Sequence, residues 1–233
     1  MTGPLVPPHE TPEFLQPLVK ASEAADPATF TRVTGPPSAA ARPASVLMLF
    51  GETAEAGPDV LLLRRADTLG SHAGQVAFPG GGADDGEDAV TTALREAEEE
   101  TGVAPAGVRP LAVFPELYVP VSRFVVTPVL AHWHRPSPVR PVDPAETAAV
   151  ARVPLAELAD PANRFQVEKR GWRGPAFSVR GLFVWGFTGG LLSVLLDLGG
   201  WATEWDRHNV RDLDVALAEH EGRAVAPPGR AKE

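Results

Sequence analysis

Two apolar runs, ASVLMLF at residues 44–50 and VLLL at 60–63, flank the polar stretch GETAEAGPD. Runs of this length bounded by turn residues predict strands, and the short link predicts a hairpin-like pair. From residue 89 the period changes. Ala89, Val90, Ala93, Leu94 and Ala97 recur at about 100° per residue, which predicts a helix with that stripe packed inward. Asp84, Asp85 and Asp88 are available to cap its start or favour its positive end, and Gly102 supplies the stop. Further on, Tyr118–Leu130 reads as a loop followed by a strand, and Phe177–Leu198 as a strand running into a buried helix that Thr188 is placed to cap. The apolar run of that last segment is short, carries Gly186, Gly189 and Gly190, and meets Asp197, which argues against a membrane span.

The ends of the chain lack such patterning. Residues 1–42 are rich in proline and alanine and read as an irregular arm, with a short helix over Glu13–Lys20. Residues 221–233 read as a flexible tail. Between them, 43–220 is expected to form one domain, and a chain of 233 residues with 44% hydrophobic content can bury a substantial core. The net charge of −9 disfavours nucleic acid and anionic membranes as partners. An anionic substrate would then have to be drawn by a local metal and arginines rather than by the overall field. With no cysteine there is neither a disulfide framework nor thiolate chemistry, and no basic segment followed by an apolar core marks a signal peptide. Both features suit a cytoplasmic protein.

The candidate chemistry lies at the end of the helix. Glu96, Glu99 and Glu100, at i, i+3 and i+4, bring their carboxylates to one side of its last turns, while Glu98 projects from the other. Such a cluster is either a solvated acidic face or a cation site. On an exposed helix the repulsion costs only about 0.2–0.5 kcal/mol and demands nothing. In a partly buried cleft, carboxylates about 5–6 Å apart repel by roughly 3 kcal/mol at an effective dielectric near 20. A divalent cation with a preference for hard oxygen ligands, Mg²⁺ or Mn²⁺, would relieve that.

The residues around the cluster decide between these readings. Gly81, Glu87, Arg95, Glu96, Glu99, Glu100 and Gly102 fit the pattern G-x5-E-x7-R-E-U-x-E-E-x-G-U, with Ala97 and Val103 in the apolar slots. The chain therefore resembles the Nudix hydrolases. The resemblance implies an α/β/α sandwich around a mixed β-sheet, with Glu96, Glu99 and Glu100 as ligands of Mg²⁺ or Mn²⁺ and Glu99 or Glu100 as a possible base. It also implies an orienting ion pair between Glu87 and Arg95. A diphosphate repels nucleophiles, so bound metal would neutralise charge and lower the pKa of water.

Immediately upstream, LLLRRADTLGSHAGQVAFPGG (61–81) resembles the second signature of coenzyme A pyrophosphatases, L-L-T-x-R-[SA]-x3-R-x3-G-x3-F-P-G-G. Leu63 stands in place of its threonine and Gly70 in place of its second arginine. The YVPVSRFVVTPVL and FVWGFTGG stretches are similar to further segments of that subfamily. By this likeness Arg65 is a phosphate or substrate contact, with His72, Gln75 and Gly81 as further substrate-binding candidates. Arg65 could equally snorkel from a strand end, and His72 could make a loop contact only. Glu146, on a second loop, is a candidate base or auxiliary ligand, or else an exposed glutamate at a helix start. The expected substrate is coenzyme A or an acyl-CoA; another nucleoside diphosphate derivative, such as ADP-ribose or a dinucleotide, is the alternative, and a non-catalytic sensor a lesser one. The resemblance also implies a homodimer. The five tryptophans suit core or interface packing better than adenine stacking.

Overall fold

The computed structural model describes residues 2–31, 33 and 37–225, with side chains as far as Glu221. The hairpin read from the apolar runs is present: β2 (Arg42–Thr53) and β3 (Gly57–Arg65) pair antiparallel, from Phe50↔Val60 to Thr53↔Gly57. They lie in the middle of a sheet with β1 (Gly3–Pro4), β4 (Val76–Ala77), β6 (Val108–Val113) and β8 (Phe124–Trp133). The strand order is β1-β6-β8-β2-β3-β4. Three strands lie off that path. β5 (Gly80–Gly82) pairs with β2, β7 (Leu117–Val119) with β8, and β9 (Thr147–Pro154) with β3. The long β2–β8 pairing is parallel and the rest of this sheet is antiparallel, so the sheet is mixed.

Side-chain alternation along these strands builds two cores. Leu47, Leu49, Leu61, Val129 and Ala131 face α3 (Ala89–Thr101), whose Ala93 and Ala97 are fully buried against them. Met48, Phe50, Val60, Leu62 and Leu130 point the other way, towards α1 (Gln16–Ser22) and α5 (Gly186–Leu198). Leu191, Leu192, Leu195 and Leu196 of α5 complete that layer. Helix, sheet and helices thus form an α/β/α sandwich. Small alanines on α3 let the helix approach the sheet closely, which matters because its far end carries the glutamates.

Three features depart from the reading of the sequence. The proline- and alanine-rich segment is no arm over most of its described length. Leu15, Leu18 and Val19, at i, i+3 and i+4, are buried in the second core, and β1 pairs with Ala112 and Val113 of β6. Phe30, on the short α2 (Pro27–Phe30), meets Phe114 edge-on at 5.4 Å. Arg32 and residues 34–36, also assigned to the arm, lie outside the described residues. Second, Thr188 lies inside α5 rather than at its start. The cap position is Trp185, which makes no side-chain capping bond. Third, the last part of the chain builds a second sheet from β10 (Arg164–Lys169), β11 (Trp172–Val179), β12 (Leu182–Val184) and β13 (Val210–Asp212). Its order is β12-β11-β10-β13.

A small core of Phe165, Val167, Ala176, Phe183, Leu213 and Ala216 joins that sheet to α6 (Leu213–Val225). The remaining helix, α4 (Leu155–Ala159), follows β9 directly. Of the expected tail, residues 226–233 lie outside the described residues, and α6 takes in its first part. Among the described residues no helix is long and apolar enough to cross a membrane.

Candidate active site

Helix α3 is held at both ends as its sequence suggests. Asp88 accepts from Thr91 N at 2.8 Å, and Gly102, at φ 69°, donates to Glu98 O at 2.8 Å. That fixes the rotation of its last two turns against β5. Two of the β5 glycines leave space that a side chain would fill. Gly80 has φ 156°, and a Cβ on it would lie 2.2 Å from Ser45 O; a Cβ on Gly81 would lie 2.5 Å from the Glu96 carboxylate. Bare backbone on β5 is what leaves room for the acidic side chains of α3.

The carboxylates do not share one environment. The Glu100 side chain is only 10% exposed. Its Oε2 accepts from Gly80 N at 2.9 Å, and its Oε1 lies 3.7 Å from Arg65 Nη1. Burial pushes its pKa up to about 7, aided by the charges of Glu96 and Glu146 and opposed by the Gly80 N–H and Arg65. Burial also raises Glu96, against the pull of Arg95. Glu99 is different, with 60% of its side chain exposed and Oε2 3.0 Å from Arg95 Nη1.

Arg95 organises the group. Its Nε and Nη2 grip Glu87 at 2.8 and 3.0 Å, Nη2 also donates to Gly82 O at 3.0 Å, and Nη1 reaches Glu96 at 2.9 Å as well as Glu99. One planar guanidinium thereby ties the loop, β5 and α3 together. The Glu87–Arg95 pair is present as the pattern implied. The further reach to Glu96 and Glu99 was not read from the sequence, although the i, i+4 spacing of Arg95 and Glu99 signals it.

Glu87 carries a pH consequence. Hydrogen bonds from Arg95, then from the Asp84 N–H, hold its pKa down at about 2. A depressed folded-state pKa means that the pair's contribution is present above the ordinary value of 4.5 and is lost as pH falls towards 2. Acid titration of the fold by circular dichroism should show E87Q less stable than the parent at pH 6. The gap should narrow as pH falls below about 4.5 and close only towards pH 2.

A model of the NUDIX domain matches residues 40–172, more than half of the chain. The chain belongs to the Nudix hydrolase family. It is similar to the uncharacterized Nudix hydrolase NudL of Cronobacter sakazakii, 39% identical over 143 residues, which span 59% of this chain and 73% of that protein. NudL of Escherichia coli K12 is 38% identical over 144 residues, with the same coverage. Among solved structures, the Nudix hydrolase RenU of M. smegmatis matches with a TM-score of 0.51 and 19% identity, over 71% of this chain and 90% of that one, a likeness of fold.

On this Nudix scaffold the remaining candidates fall into two groups. Arg65, at the end of β3, and Gly81, on β5, stand directly against Glu100 and Glu96. Glu146 sits in the turn before β9. Its carbonyl accepts from Ala66 N at 2.8 Å, and its exposed carboxylate is close enough to raise Glu100. His72 and Gln75 lie on the loop between β3 and β4, where His72 Nδ1 meets Gln75 Oε1 at 2.9 Å. Their side chains bond to each other, and the Gln75 backbone links this loop to the site, its O accepting from Arg65 N at 2.9 Å.

The carboxylate set suits a hard divalent ion. Glu100 is a buried acid with one backbone donor and a distant arginine, so a cation would replace the water it has lost. Among the described residues, however, no three acidic, histidine or cysteine side chains converge as a ready cage. Arg95 occupies the space between Glu96 and Glu99 instead.

Proposed function

We propose that this Nudix hydrolase cleaves the diphosphate linkage of coenzyme A or an acyl-CoA, giving 3′,5′-ADP and 4′-phosphopantetheine or its acylated form. The observation that carries the reading is the meeting of two motifs. The segment 61–81 that resembles the coenzyme A pyrophosphatase signature ends its strand with Arg65 beside Glu100 and closes with Gly81 against Glu96.

Glu96, Glu99 and Glu100 would hold Mg²⁺ or Mn²⁺. When bound, the ion supplies neutralisation of diphosphate charge and a more acidic water. Arg65 offers Nη1 to a non-bridging phosphate oxygen, which gives charge-assisted binding at the edge of the carboxylate cluster. Glu146, exposed and near enough to act on Glu100 by its charge, would accept a proton from the attacking water. Arg95 orients, through Glu87 and Gly82, the helix and strand that meet at the phosphate.

Mass spectrometry of products from a mixture of coenzyme A, ADP-ribose and dinucleotides, with and without EDTA, tests the proposal. The expected products are 3′,5′-ADP and 4′-phosphopantetheine, absent with chelator. Cleavage of ADP-ribose or a dinucleotide alone would favour the second reading. That reading is supported by Gly70, which leaves the second signature arginine missing. A Cβ on Gly70 meets nothing within 4 Å, so a side chain can start from this position without a clash. G70R should fold normally and raise kcat/KM for coenzyme A several-fold, by roughly 1 kcal/mol of added phosphate contact. An unchanged value would show that the position does not meet substrate.

A further inference from the structure

Beside the carboxylate cluster lies a second group of cations that the reaction as described does not use. Arg42, the first residue of β2, pairs in register with Phe124 of β8, and its guanidinium rests 4.7 Å from that ring's centroid. Arg42 N donates to Arg123 O at 3.0 Å, and Arg123 stands at φ 56° in the turn entering β8. Both arginine side chains are exposed, and among the described residues neither forms an ion pair with a carboxylate. In a chain of net charge −9, two neighbouring arginines without acidic partners make a local positive spot.

Their place relative to the site suggests a function. The Phe124 ring lies over the sheet edge towards β5, with its Cε1 3.9 Å from where a Gly82 Cβ would sit. Gly82 O is bonded to Arg95, which holds Glu96 and Glu99. Backbone pairing brings this end of β2 to β5: Ala44 is in register with Gly82, and Pro43 O, next to Arg42, accepts from Ala83 N at 3.1 Å. The ring fixes the guanidinium by a cation–π contact while leaving its N–H edges to solvent. A planar donor held in this way is pre-organised for a phosphate monoester, two parallel N–H groups to two oxygens.

We propose that Arg42, seated on Phe124 and held by its N–H to the Arg123 carbonyl, binds a phosphate monoester on the nucleoside part of the substrate, separate from the diphosphate that is cleaved. The proposal rests on the diphosphatase reading and narrows it to nucleotides that carry an additional terminal phosphate. Arg42 is then a specificity-determining residue, with no part in the bond cleavage.

Calorimetric binding of two adenine nucleotides tests this without requiring turnover. The full chain should bind adenosine 3′,5′-bisphosphate about ten-fold more tightly than adenosine 5′-monophosphate. R42Q should erase that preference while leaving affinity for the monophosphate unchanged. R173Q, which removes the same charge from the second sheet, should retain it. Equal affinities in the parent chain, or an equal loss of both ligands in R42Q, would overturn the proposal. Either result would leave the diphosphatase reading to its own product assay, which can fail independently.

Discussion

E99Q and E100Q are each expected to lower turnover at least about a hundred-fold, roughly 3 kcal/mol of barrier, while leaving the fold intact. Glutamine keeps the shape and one oxygen but removes the charge that a divalent ion needs. The two variants should differ in character. Glu99 is exposed and touches only Arg95, so E99Q should alter activity with little effect on the melting temperature. Steady-state rates at saturating Mg²⁺, beside thermal melts, check both statements. Near-normal rates would remove these side chains from the chemistry.

The second large effect concerns stability. Glu100 has a folded-state pKa of about 7 against an ordinary 4.5, because it is buried with a single backbone donor. The folded, metal-free protein therefore holds a proton that the unfolded chain releases. Stability from this group is complete below about pH 4.5 and is lost as pH rises through about 7, a change of about 3 kcal/mol. E100Q, always neutral, should be more stable than the metal-free parent by up to that amount at pH 8 and should lack the loss. Urea titrations at pH 4.5 and 8 in EDTA measure it, and parallel pH profiles for parent and variant would contradict the account. The sign is opposite to that at Glu87, where a carboxylate paired with Arg95 is kept ionised. Two glutamates of one motif thus titrate in opposite directions, one serving the scaffold and the other strained by burial.

Which parts of this could be read in advance follows from the range of the interactions. Helix α3 was legible because its signals are local: the alanine stripe, Asp88 before it and Gly102 after it. The β2–β3 hairpin was legible for the same reason. The N-terminal segment was misjudged because the proline and alanine around Leu15, Leu18 and Val19 obscured an apolar face that is only one turn long. In the second sheet, β10–β11 and β11–β12 are hairpins turned at Arg170–Gly171 and Arg180–Gly181, local signals that went unread; only the parallel pairing of β10 with β13, more than forty residues apart, lacks a local pattern.

In the site, the residues of the helix motif were singled out by their resemblance to the Nudix pattern, from which their unequal burial could not be read. That inequality comes from β5, whose glycines cover Glu100 and abut Glu96 while leaving Glu99 in solvent. Arg65 shows the same limit. Its place at a strand end was legible, whereas its 3.7 Å approach to Glu100 depends on the register of β3 against its neighbours. His72 and Gln75 were read as substrate-binding candidates from a linear motif, and in the folded chain their side chains meet each other at 2.9 Å.

The central claim is that the acidic end of α3 binds a divalent ion. Titration of Mn²⁺ into the purified protein, followed by electron paramagnetic resonance of the free ion, tests it most directly. The account predicts saturable binding in the parent, competed by Mg²⁺ and weakened at least about ten-fold in both E99Q and E100Q. Binding that is unchanged in these variants, or absent from the parent, would contradict it.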